Sequence, residues 1–132
     1  MEQNKVDVFI LLMNGKIKTE KLMPLREQLL KLDNSKWSII QSIKYRNPVI
    51  VLIISIFFGW LGIDRFIIGQ EILGMIKFTI MVAVCGINVF ESEIGIIVVF
   101  NILFSIWVII DWFLIIGKTK DYNYLKICQV IN

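Results

Sequence analysis

Residues 94–116 contain twenty-three positions, of which seventeen are Ile, Leu, Val or Phe and one, Asp111, is charged. As a helix they would rise about 35 Å, enough to cross a hydrocarbon core of about 30 Å. On a membrane-insertion scale each of the seventeen contributes roughly −0.3 to −0.6 kcal/mol, against a cost of roughly +3 kcal/mol for Asp111. The balance favours insertion, and it restricts the fold to helices that satisfy their own backbone groups. Two shorter apolar stretches precede this one. Residues 48–63 would rise only about 24 Å, so they cross only if the turn at Asp64-Arg65-Phe66 sits among lipid headgroups. Residues 72–90 form the second segment, with Lys77 about a turn and a half inside it and expected to snorkel.

Composition agrees with this class. The hydrophobic fraction is 57% and the mean hydropathy +0.74, above the roughly 45–50% apolar usage of ordinary globular domains. Charge is unevenly placed: residues 1–47 hold nine of the fourteen Lys/Arg and five of the eleven Asp/Glu. That imbalance suits a juxtamembrane surface beside anionic lipid and gives no reason to invoke nucleic acid. There is no histidine, and Cys85 and Cys128 have no metal-ligand spacing, so no metal or other cofactor is expected. No nucleophile elbow, phosphate loop or carboxylate dyad is present, which argues against an enzyme. Residues 8–13 are too short an apolar run, without a cleavage pattern, to read as a secretory signal.

The N-terminal region predicts short helices. Lys5 to Met13 is amphipathic and ends at Asn14-Gly15, although the alternation of Val6, Val8, Ile10 and Leu12 also permits a strand. Thr19 is the expected cap of a second helix, with Leu22, Leu25, Leu29 and Leu32 on one face and Pro24 in its first turn or at a kink. Asp33-Asn34-Ser35 breaks and recaps the chain, after which Trp37, Ile40 and Ile43 or Tyr45 share a face. These stripes would pack into a mini-bundle, or lay one face on the bilayer or a partner. The expected organisation is all-α: a basic helical region 1–47, a membrane domain 48–117 of two or three segments, and a short tail 118–132.

The sequence Gly59-Trp60-Leu61-Gly62-Ile63-Asp64-Arg65-Phe66, followed by Gly69, Gly74, Lys77 and Ile110-Asp111-Trp112-Phe113-Leu114-Ile115, resembles the two-transmembrane (TM-two, or DRF-motif) domain family. Members carry LGxxGxDRFYLG at the end of a first span, then GxxK, then IDxFLI in a second. The resemblance covers about residues 47–117, and the N-terminal region looks like bacterial members. It implies an architecture more than an activity, because biochemical function in the family is generally undefined. One departure stands out. Lys77 and Asp111 lie 34 positions apart, where the family places these residues about fifteen apart. The added stretch is about one membrane crossing long, which suggests three segments.

Topology rules disagree over the termini. The basic residues of 1–47 and Lys118, Lys120 and Lys126 place both ends in the cytoplasm by the positive-inside rule, which needs an even number of crossings. Three crossings would instead bring Asp64, Arg65, Lys77 and Asp111 to one leaflet, where two acids and two bases neutralise one another. Electrostatics therefore favours three.

These four residues, with Phe66, are the candidate motif site. Asn88 or Asn101 would extend it into a polar cavity, Asn101 and Ser105 sharing a helical face. The plainer alternative is structural: the acids and bases pin a turn and pair. Ser55, Gly59 and Gly62, with Gly69 and Gly74, are the small residues that would let helices approach closely. Trp60, Trp107 and Trp112 read as interfacial anchors. The expectation is an integral protein of the cell's inner (cytoplasmic) membrane with a cytoplasmic N-terminus. It would act as an interaction or scaffold module through its helices and the Asp64-Arg65-Phe66 turn, with membrane lipids and a membrane-protein partner or further copies of itself as partners. Other classes fit less closely: a pore subunit, a toxin-immunity protein, or a lipid-handling accessory binding anionic lipid at Arg65 and Lys77.

Overall fold

The computed structural model describes residues 3–90 and 93–132; Glu91 lies outside them. The described residues are helical and form no strand, the nearest approach being an isolated bridge between Asn14 and Ile17. The chain divides into two compact units: residues 1–48 with 117–132, and residues 49–116.

The first unit contains α1 (Gln3–Met13), α2 (Thr19–Leu30), α3 (Asn34–Ser42) and the C-terminal part of α7 (Ile94–Ile131). The strand alternative for the N-terminus is overturned, because Val6, Phe9 and Met13 recur at helical spacing and are buried together. Gly15 supplies the left-handed φ of +84° that turns the chain after α1. Leu22, Leu25 and Leu29 bury one face of α2, and Trp37 and Ile40 one face of α3. The Phe9 ring meets Trp37 edge-on, with centroids 5.3 Å apart. One local expectation fails, and one of the two alternatives for Pro24 fails with it. Lys18, not Thr19, is the N-cap of α2, and it makes no side-chain cap bond. Pro24 lies inside α2, in its second turn, a position where its ring forfeits one intrahelical bond; burial of the leucine face offsets that loss.

Residues 118–132, expected as a tail, continue α7 as far as Ile131. Thr119, Asn123 and Ile127 are fully buried at i, i+4, i+8 spacing, and Ile127 belongs to the same core as Val6, Leu25 and Ile40. Asn123 is the polar joint of this unit. Its Oδ1 accepts from the Arg46 backbone N–H at 2.9 Å, and its Nδ2 donates to the carbonyls of Arg46 and Lys16, both at 2.8 Å. Asp121 accepts from Lys18 and Lys21, each at 2.9 Å. Burial alone would raise the Asp121 carboxyl, but the hydrogen bonds and charges of the two lysines hold it below its ordinary value.

The second unit holds α4 (Pro48–Phe58) after its first residue, a 3-10 turn (Gly59–Leu61), α5 (Ile63–Ile67), α6 (Glu71–Phe90) and α7 up to Ile116. Helices α6 and α7 are long and apolar enough to cross a membrane. By contrast α4 has 11 residues, a rise of about 16 Å, and with the 3-10 turn it makes a shorter apolar helical stretch, Pro48–Leu61. Gly62 ends the run that follows it: its φ is +79°, and its backbone is so close to Gly74 that an added Cβ would stand 2.6 Å from the Gly74 carbonyl oxygen. Residues 48–63, expected as the first membrane segment, thus form a helix and a 3-10 turn, Pro48–Leu61, closed by Gly62.

Candidate functional site

The α6–α7 hairpin is antiparallel, and that geometry assembles the polar residues of the second unit. Asn88 pairs with Asn101 and Lys77 with Asp111, so the two helices keep register over three turns. The 34-residue separation of Lys77 and Asp111 is the length of the path up one helix and down the other.

Four ionisable side chains meet at the base of this hairpin. Asp111 accepts from both Arg65 and Lys77. Lys77 also reaches Asp64, at 3.3 Å to Oδ2. Asp64 accepts a further bond, at 3.0 Å, from Ser55 Oγ on α4. Arg65 donates from Nη1 to Gln70 Oε1 at 2.8 Å. All four ions are buried: Asp64 is 0% exposed, Lys77 1%, Asp111 4% and Arg65 7%. Lys77 therefore does not snorkel. Two acids and two bases sum to zero, the condition under which such groups can be held out of water. The cluster unites the four residues that the three-crossing arrangement was expected to bring together.

The neighbouring small residues serve this assembly. Gly59 stands against Ser55, where a Cβ would come within 2.8 Å of its Oγ. Gly74 faces the Phe66 ring, which is 2.9 Å from where a Cβ would lie. Phe66 thus packs one face on α6 while remaining 44% exposed. Gly69, with φ of +72°, turns the chain from α5 towards α6. The small residues act between parts of one chain, as a consequence of a turn folded back on α6.

Asn101 does not join the ion cluster. It donates to Asn88 Oδ1 and to the Ile97 carbonyl, both at 2.8 Å, and Asn88 in turn donates to the Val84 carbonyl. Its position ten residues before Asp111 puts it about 15 Å away along α7. Ser105 bonds back to the Asn101 carbonyl. Trp112, read as an interfacial anchor, donates its indole N–H to the Ser55 carbonyl at 3.0 Å and so ties α7 to α4. Trp60 is exposed. Sequence reasoning missed Gln70 as the partner of Arg65; its position five residues on was the available signal. Among the described residues no group of acids and cysteines is arranged to hold a metal ion. Comparison of the chain with protein-family models, curated proteins and solved structures finds no match.

Proposed function

We propose that this chain is an integral membrane interaction module with two crossings, α6 and α7, of the kind the two-transmembrane domain resemblance implies. In this reading α4 and the Asp64-Arg65-Phe66 turn enter the membrane from one side without crossing it, and the added stretch completes the α6–α7 hairpin. The observation that carries the topology is that the chain leaves the first compact unit at Pro48 and returns to it at Gly117. A folded unit with one hydrophobic core lies on one side of a bilayer, so an even number of crossings separates these residues. The first unit carries twelve of the fourteen Lys/Arg, which puts it, and both termini, in the cytoplasm.

The ion cluster is the internal clamp of the module and not its contact surface, since its charges are spent on one another. Contacts with other proteins fall to the outer faces of α6 and α7, whose most apolar stretches are only 17% and 6% buried within the chain. Scaffolding by helix packing against further copies or another membrane protein is the function this arrangement supports best. A photo-crosslinking residue at Ile102 or Ile106, both exposed on α7, tests it in native membranes. Capture of a discrete protein band supports the reading. Crosslinks to lipid alone, from a chain that native mass spectrometry finds monomeric, overturn it.

A further inference from the structure

We propose that α7 is the dimerisation helix of this chain, a second copy packing into a groove beside Asn101 and Ser105. This rests on the scaffold reading above and gives it a partner and a surface. Two rows of α7 side chains at i, i+4 spacing border a groove of about 410 Å³. One row runs from Ile97 through Asn101 and Ser105 to Ile109, the other from Val98 to Ile106. Among the described residues only α7 lines this groove. Grooves between such rows are what the matching rows of a second helix fill when helices pack.

The polar side chains on this flank call for protein, not lipid, as the occupant. Ser105 is the midpoint of residues 94–116, and Asn101 lies about 6 Å from it along the helix. Ser105 and Asn88, the partner of Asn101, are both exposed. Asn88 Oδ1 accepts a bond of 2.8 Å and Asn101 Oδ1 one of 3.5 Å, although a carboxamide oxygen has room for two. Ser105 Oγ–H donates at 2.8 Å to the Asn101 carbonyl of its own helix. Acyl chains offer nothing to complete these groups, whereas polar side chains of spanning helices hydrogen-bond across to other helices. Copies inserted the same way carry parallel α7 helices. A two-fold axis along the membrane normal then sets each level of the groove against the same level of its partner, and every contact occurs twice. A hydroxyl turns to suit its acceptor, so each Ser105 can leave its own helix and donate to Asn101 Oδ1 of the second copy. The pairing is complete within two chains and needs no foreign group. Ser105 is also the small side chain at which two backbones can approach closely.

Energy transfer between donor- and acceptor-labelled full chains, diluted in phosphatidylcholine bilayers, measures the association, and native mass spectrometry counts the copies. The wild type forms dimers. Ser105→Leu fills the groove and removes the hydroxyl, weakening association roughly tenfold or more, the size of two interhelical hydrogen bonds. Leu103→Ala, outside the groove, associates as the wild type does. Circular dichroism of each variant verifies that helicity is retained. Ser105→Cys, in a chain lacking Cys85 and Cys128, supplies a second reading: oxidation joins two copies at that position, and Leu103→Cys does not join them. Unchanged association of Ser105→Leu overturns the proposal, as does a disulfide formed at position 103 in preference to 105, or a ring of more than two copies. A monomer that crosslinks from Ile102 or Ile106 to a different protein overturns this proposal alone. A monomer that crosslinks only to lipid overturns the scaffold reading together with it.

Discussion

Replacing Asp111 by Asn removes one negative charge from the buried cluster while keeping the side chain's size. Asp111 is the acceptor shared by Arg65 and Lys77, so the substitution leaves two buried cations facing Asp64 alone and takes the cluster from neutral to +1. Removing one partner from a buried ion pair costs about 3–5 kcal/mol, because the uncompensated charge stays out of water. That is roughly two to three and a half orders of magnitude in the folding equilibrium. Thermal unfolding in mild detergent, followed by tryptophan fluorescence, measures it, since Trp112 reports the α4–α7 contact through its bond to Ser55. A second substitution separates charge imbalance from lost packing. Lys77→Met alone is also strongly destabilising, but the double variant Asp111→Asn/Lys77→Met is neutral again. It should cost less than the sum of the singles by at least about 1 kcal/mol. Additive losses, or a single variant within about 1 kcal/mol of wild type, would refute the clamp.

Two further perturbations probe other parts of the chain. Gly62→Ala meets both a left-handed φ of +79° and the Gly74 carbonyl oxygen, so it should cost about 2 kcal/mol or more in the same unfolding assay, whereas Gly86→Ala, where an added Cβ meets open space, should be tolerated. Asp121→Asn tests a pH effect: the folded Asp121 carboxyl is depressed below 3.8, so its contribution is present above that value and disappears as pH falls through the folded pKa. The three side chains are about one-third exposed, so the variant should be less stable by no more than about 1 kcal/mol at pH 7, with the difference shrinking as pH falls through the folded pKa.

Much of the helical organisation was legible because it is periodic. The leucine stripe of α2 and the Trp37/Ile40 face of α3 are read directly from spacing, and so is the apolar length of α7. The motif residues Asp64, Arg65, Lys77 and Asp111 were conspicuous because ions in apolar sequence need partners. What sequence concealed was direction. A run of apolar residues does not reveal where a glycine takes a left-handed φ, so the fold-back of Gly62 onto Gly74 was not legible. The reach of α7 beyond Gly117 was hidden too: its buried face there contains Thr119 and Asn123, polar residues that hydropathy assigns to a tail. Asn101 looked like part of the charged site until the antiparallel register matched it with Asn88.

The central claim is that the two ends of the chain lie on one side of a membrane that α6 and α7 cross. Single-cysteine variants in a background lacking Cys85 and Cys128 would report it directly, with the label placed at Lys31, at Lys126 or at Glu93 and probed by a membrane-impermeant maleimide on intact cells. The account predicts reaction at Glu93 alone until the cells are opened, whereupon Lys31 and Lys126 become reactive together. Labelling of Lys31 and Lys126 on opposite sides would contradict it.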